Sequence, residues 1–281
     1  MTQSDFTIDR RTVLSSITGA TLVGLAGCTS SRDDSTGSNG TASDGTGDSG
    51  PLKQVSVEGL QLVVELTADA EVEHLNVISP NGELFDSQEL SQGVSRAAFE
   101  LGTSYTPGEY RVLALRGEDE IGSSVLAIEP DLQIVEVGIG ANHLERFPEE
   151  LTFKDQQALV TVENRGTGPD AITRLLFKGD VPGPTTDYET GDVSGIWGPD
   201  ANNQRGVDAV AITADSEETI FSISLPFSFA ADNGIDCKST PQSGSFRVVV
   251  QSQIDGKTTA SRRIEYSESD RYDGCDTTIS D

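Results

Sequence analysis

Apolar and polar residues alternate in short runs along most of this chain, and turn-forming residues divide the runs too closely for helices. In the first half, Leu60 to Leu66 (LQLVVEL), His74 to Ile78, Glu83 to Phe85, Val94 to Leu101, Tyr110 to Leu115 and Ser124 to Ile128 read as strands. A period of two places every second side chain on one face, the mark of a half-buried strand. Pro80-Asn81-Gly82 and Pro107-Gly108 supply the fixed or positive φ that tight turns require.

The pattern continues beyond Pro130. Leu132 to Ile139, Gln157 to Glu163, Ile172 to Lys178, Val207 to Ile212, Thr219 to Phe229, Phe246 to Ile254 and Thr258 to Tyr266 are predicted strands, with Asp255-Gly256 as a type I′ hairpin turn. The expected fold class is all-β, with two immunoglobulin-like antiparallel β-sandwich domains over residues 51–130 and 131–281. In the first, Tyr105 to Leu115 (YTPGEYRVLAL) has the form of a late hairpin. Tyr110 there is either a corner tyrosine or an ordinary core aromatic.

Residues 1–28 break the alternation. Arg10-Arg11 precede a weakly apolar run from Thr12 to Gly24, and Leu25-Ala26-Gly27-Cys28 follow. A positive start, a short apolar core and small residues make an export signal over residues 1–27. The core is short of the roughly 20 apolar residues that span a bilayer. Paired arginines resemble a twin-arginine signal, and Leu25-Ala26-Gly27-Cys28 resembles a lipobox. That resemblance implies lipid on Cys28 and a partner in the membrane surface. Localisation is then the extracytoplasmic face.

Residues 28–50 follow as a lipidated Cys and a Ser/Thr/Gly/Asp stalk. Between Thr29 and Gly50 the single apolar residue is Ala42, so the segment cannot bury enough surface to offset ordering entropy and is expected to be disordered. Asn39-Gly40-Thr41 is a sequon, which makes Asn39 a candidate glycosylation site.

The formal charge is −27, from 25 Asp and 21 Glu against 14 Arg and 5 Lys. Residues 1–27 contribute nothing to it, because Asp5 and Asp9 offset Arg10 and Arg11. Such acidity with few lysines resembles proteins of salt-loving archaea, and implies a fold that depends on salt. It opposes nucleic acid as a partner, since phosphate recognition needs clustered Lys and Arg.

Leu159 to Phe177 (LVTVENRGTGPDAITRLLF) resembles the second and third strands of archaeal adhesion-related sandwiches of the CARDB type, in which an Asn-x-Gly turn joins two paired strands. The resemblance covers about 20 residues and implies a surface β-sandwich. Taken with the signal, it describes a haloarchaeal twin-arginine-exported lipoprotein.

With Cys28 assigned to lipid, Cys237 and Cys275 remain. In an exported protein a disulfide is their simplest use. The segment from Gly179 to Gly206 exceeds ordinary loop length and carries Tyr188 and Trp197. Its aromatics are candidates for binding a protein or glycan partner, or for a small satellite core at the sandwich edge. Asp187, Glu189 and Asp192 could collect calcium, but their spacing departs from the usual acidic loop.

His74 and His143 are the two histidines, and neither lies in a ligand motif. No nucleophile elbow, phosphate loop or acid pair on a defined scaffold is present. The expected catalytic residues, metal and cofactors are therefore none. Non-enzymatic binding, adhesion or display is the expected role. An accessory subunit of a membrane transport or enzyme complex is the alternative, and a secreted hydrolase comes after it.

Overall fold

Leu62, Val64 and Leu66 point to one side of a strand and are buried, and Leu75 and Val77 do the same from the strand they face. This alternation builds the first sandwich, and it recurs in the second. The computed structural model describes residues 50–185, 193–198, 206–229, 242–268 and 275–281. Among these residues the regular structure is β-strand apart from three single-turn 3-10 segments.

The first sandwich contains β1 (Leu52–Glu58), β2 (Gln61–Leu66), β3 (His74–Ile78), β4 (Leu84–Glu89), β5 (Arg96–Glu100), β6 (Gly108–Arg116) and β7 (Asp119–Ile128). They form two antiparallel sheets, ordered β1-β2-β5 and β4-β3-β6-β7. The second contains β8 (Leu132–Ile139), β9 (Ala158–Asn164), β10 (Asp170–Gly179), β11 (Val210–Ile212), β12 (Ser216–Phe221), β13 (Gln242–Ser252), β14 (Lys257–Glu268) and β15 (Cys275–Ser280). Its sheets run β12-β9-β8 and β11-β10-β13-β14-β15. Adding seven to each strand number of the first sandwich reproduces the order of the second, with β15 as one extra edge strand. The chain thus repeats one topology twice, the three-plus-four arrangement of immunoglobulin-like and fibronectin-like domains.

Each sandwich has its own core. Phe99, Tyr110, Val112 and Ile128 join Leu62 and Leu75 in the first; Val160, Leu175, Phe177, Phe246, Val248 and Ile264 fill the second. Tyr110 lies near the start of β6, fully buried, and its hydroxyl donates to the Thr106 carbonyl at 2.9 Å. That bond back to the chain four residues upstream is the geometry of a tyrosine corner, so both readings of Tyr110 apply at once. Burial raises its pKa above the ordinary value.

The structure departs from the sequence pattern in several places. Leu52–Glu58 is a strand that the pattern did not mark, because a register shift between Leu52 and Gln54 interrupts its alternation. Cys275–Ser280 pairs with β14 although it is mostly polar; Thr and Ile suit an edge strand without needing a buried face. The run expected from Thr219 to Phe229 ends at Phe221. Ser222 then turns the chain, its hydroxyl accepting from Ala158 N at 2.9 Å and donating to the Ser224 carbonyl.

β9 and β10 do not pair with each other, contrary to the expectation from the Asn-x-Gly resemblance, but belong to opposite sheets. The buried Asn164 drives the crossing. Its amide donates to the Gly168 and Thr213 carbonyls, and its oxygen accepts from the Gly166 and Asp131 N–H groups. Nor is Asp255-Gly256 a type I′ turn, which needs positive φ at both residues. Only Gly256 (φ 92°) has it, and four residues, 253–256, link β13 to β14. The carboxylate of the fully buried Asp170 instead shapes this loop, accepting from the N–H groups of Gln253, Ile254 and Asp255 at 3.2, 3.0 and 2.9 Å.

Residues 48–281 cluster as one compact unit, and the contacts around Pro130 explain why. Thr167 N donates to the Glu129 carbonyl at 2.8 Å, the Thr167 hydroxyl donates to the Ala127 carbonyl at 2.8 Å, and Asp255 accepts from Leu132 N at 3.1 Å. Ile254, from the β13–β14 loop, packs on the first core. A side chain at Gly166 would lie 2.2 Å from the Glu129 oxygen, so close approach of backbone to backbone requires glycine there.

Candidate functional site

Two surfaces of the second sandwich gather side chains with binding chemistry. One is an aromatic cluster on the outer side of β9. Leu159 is fully buried there with Phe147 and Leu151, and Trp197 and Phe221 pack against them. Phe221 stands 4.9 Å from Phe147 and 6.4 Å from Trp197, ring centre to ring centre. Trp197 is held by its backbone as well, N–H to the Phe221 carbonyl at 2.8 Å. The described parts of the 179–206 segment therefore lie on the sandwich, with Val181 and Ile196 in its core. Trp197 is half-buried in the satellite core.

Beside this cluster Arg146 grips Glu136 through both guanidinium ends, at 2.5 and 2.9 Å, while the Thr161 hydroxyl donates to Glu136 at 3.1 Å. The Arg146 hydrogen bond, ahead of a smaller desolvation effect in the other direction, holds the Glu136 carboxyl below its ordinary value of 4.5. His143 lies close enough to add a further lowering influence.

The other surface is the outward face of β10, β13 and β14. Strand pairing places Lys178, Arg247 and Ser261 in one row, Ser245 beside Arg263 in the next, and Arg174, Gln251 and Lys257 in a third. Five of the chain's 19 lysines and arginines thus share one sheet face. Exposed Glu265 follows Arg263 on the same face, opposite Ser243, and buried Leu176 and Val249 separate the first row from the third. A recess of about 350 Å³ opens among Lys178, Gly179, Ser245, Phe246, Arg247 and Ser261. No local motif marks this face in the sequence. Its signal was the alternation of Lys257, Ser261 and Arg263 on β14 with Ser245 and Arg247 on β13, in a chain otherwise crowded with acids.

Other expected site residues are placed as follows. Cys275 is buried at the start of β15. His74 is half-buried on β3 and His143 ends a 3-10 turn; the described residues include no group of three or more His, Cys, Asp or Glu that could hold a metal ion. Arg10, Arg11, Leu25, Ala26, Gly27, Cys28, Asn39, Asp187, Tyr188, Glu189, Asp192 and Cys237 lie outside the described residues. No helix among the described residues is long and apolar enough to cross a membrane.

By its own strand order the chain is an all-β protein of two immunoglobulin-like sandwiches. No family model matches it, and no curated protein does. Among solved structures, a two-domain fibronectin type III segment of chicken tenascin is similar over 75% of this chain and 96% of its own, at 11% identity and a TM-score of 0.26. The human OSCAR ligand-binding domain is similar over 80% of this chain and 90% of its own, at 10% identity and a TM-score of 0.21. A β-glucuronidase of glycoside hydrolase family 2 is similar over 82% of this chain at 12% identity and a TM-score of 0.23, but the chain spans only 20% of that enzyme's length.

Proposed function

We propose that this protein is a lipid-anchored lipoprotein of the extracytoplasmic cell surface, whose two β-sandwiches serve binding, adhesion or display rather than catalysis. One observation carries the reading: Leu25-Ala26-Gly27-Cys28 closes a short apolar run behind Arg10-Arg11, and the first strand begins at Leu52 after a strongly polar segment. In this reading the signal is removed before Cys28, the lipid on Cys28 holds the chain, and residues 29–50 hold the sandwiches away from the headgroups. A flexible Gly/Ser-rich segment of that length reaches roughly 25 Å. Two hydrocarbon chains make such an anchor stable, since each buried CH₂ contributes about 0.8 kcal/mol.

A disulfide between Cys237 and Cys275 belongs to the same reading, because export exposes thiols to oxidising conditions. It would fix the edge strand β15 and contribute about 4 kcal/mol in the chain-entropy model. The acidic surface suits molar salt.

The test is fractionation of cells expressing the full chain in molar KCl, with crosslinking of the membrane fraction. Wild-type protein is expected with membranes and C28S in the medium. Equal release of both would reject the anchor. A stoichiometric membrane complex among the crosslinked products would replace free-standing display with the role of an accessory subunit.

A further inference from the structure

The two sandwiches meet at one end of each, and strand pairing fixes which end. β7 leads toward the second sandwich, and its last residue, Ile128, pairs with Gly108 at the start of β6. The turn before β6 gives Ser104 and Tyr105 to hydrogen bonds with Gln253 and Pro169. β5 ends on this side as well, with Glu100 opposite Gln61, and β1 ends there at Glu58, also opposite Gln61.

β1 therefore starts at the other end. Leu52 pairs with Leu66, and the Pro51 carbonyl accepts from Thr67 N at 3.0 Å. A Cβ at Gly122, early in β7, would stand 2.7 Å from the Pro51 ring. The chain enters the first sandwich at the end remote from the second.

The two ends of the second sandwich differ in kind. Its short connections, 165–169, 213–215 and 253–256, lie at the junction. Asn164 ties the first two together by donating to the Gly168 and Thr213 carbonyls, and Asp170 holds the third. β8, β10 and β12 all run away from the junction, and the long connections 140–157, 180–209 and 222–241 begin where these strands end. Packing against a neighbour keeps connections short, whereas long loops grow at the unopposed end, where sandwich domains carry their binding loops on a rigid frame.

Residues 140–157 are described throughout. Phe147 and Leu151 fasten them to the sandwich through the satellite core, and Gly140 N donates to the Gln157 carbonyl at 2.8 Å. Between these fixed points Leu144, Glu145, Glu149, Glu150 and Phe153 are exposed.

We infer that the second sandwich is the outward one, and that its end around residues 140–157 is the surface this protein presents to the exterior. This deepens the display role proposed above and rests on the anchor at Cys28. A tether that enters at Pro51 leaves the 140–157 end the farther from the membrane, averaged over orientations. At about 3.3 Å per residue, the ten residues of β7 and the eight of β8 separate the two ends by on the order of 50 Å. The first sandwich then acts as a spacer between the stalk and the presented end.

The experiment places a fluorescent donor at either end of the full-length lipidated protein, purified from membranes and reconstituted into phosphatidylglycerol vesicles in molar KCl. E118C, in the turn before β7, marks the end where the chain enters, and E150C marks the other. Both positions are exposed, and circular dichroism checks that the variants fold. Labelled wild type corrects for reaction at Cys237 and Cys275. Energy transfer to an acceptor on the lipid headgroups is the readout.

Transfer from E118C is expected to exceed that from E150C several-fold. Equal transfer, or more from E150C, would overturn the inference and leave the anchor standing. Protein that does not stay with the vesicles at all would overturn the anchor, and this inference with it.

Discussion

Tyr105, in the turn before β6, donates its hydroxyl across the junction to the carbonyl of Pro169, 2.9 Å away at the start of the second sandwich. Its ring is buried and packs at 6.4 Å from Tyr110, so a residue of the first core directly tethers the second domain. Burial, with a smaller push from Asp170, raises the Tyr105 pKa well above its ordinary value of 10.

Replacing Tyr105 by Phe leaves the Pro169 carbonyl without this donor. The expected loss is about 1 kcal/mol in chemical denaturation. Gly168→Ala is expected to cost more, because its Cβ would stand 2.1 Å from the Tyr105 hydroxyl and 2.7 Å from Ile128. A protein whose sandwiches unfold in one transition as wild type is expected to show two once this junction is disrupted. Unchanged single-transition curves for both variants would contradict the tether.

Asp170 gathers three N–H groups of the β13–β14 loop in a fully buried position. Asp170→Ala orphans these donors and is expected to cost roughly 3 kcal/mol or more. Asp170→Asn keeps the size but offers one acceptor oxygen instead of two, and falls between. Hydrogen exchange should report the loss first at Gln253, Ile254 and Asp255.

Glu136 gives the protein a defined response to acid. Its folded pKa is depressed, chiefly by the Arg146 hydrogen bond, so its contribution is fully present above the ordinary value of 4.5 and is lost as pH falls through the lower folded value. The pair is substantially exposed, at 35% and 39% for its two side chains, which holds the effect to about 1 kcal/mol or less. Melting curves of Glu136→Gln between pH 7 and pH 3 should show a shallower acid limb than wild type.

Salt should act in the opposite sense from its effect on that pair. With a formal charge of −27, self-repulsion operates over a screening length of about 10 Å at 0.1 M salt and about 3 Å at 1 M. The melting temperature is expected to fall on transfer from 2 M to 0.1 M KCl. An unchanged or higher value in dilute salt would remove the halophilic reading.

Much of the fold was legible because burial on one face writes itself as alternation. Leu62, Val64 and Leu66 display it, as do Tyr110, Val112 and Ala114, and six of the seven strands of the first sandwich follow from such runs. β1 and β15 escaped because strands at sheet edges need no strict alternation. The β13–β14 turn escaped for a different reason: Asp170 lies 83 residues before Gln253, and no local rule reports a partner so distant. The basic face was hidden by the same separation. Lys178 and Arg247 become neighbours only when β10 pairs with β13, whereas Cys28 and its preceding small residues are a local motif.

Mass spectrometry of the amino-terminal peptide from protein purified out of native membranes tests the anchor most directly. The expected result is a mature chain beginning at Cys28, its mass raised by covalent lipid and lacking residues 1–27. A chain that retains Arg10-Arg11, or that starts elsewhere with an unmodified Cys28, would contradict it.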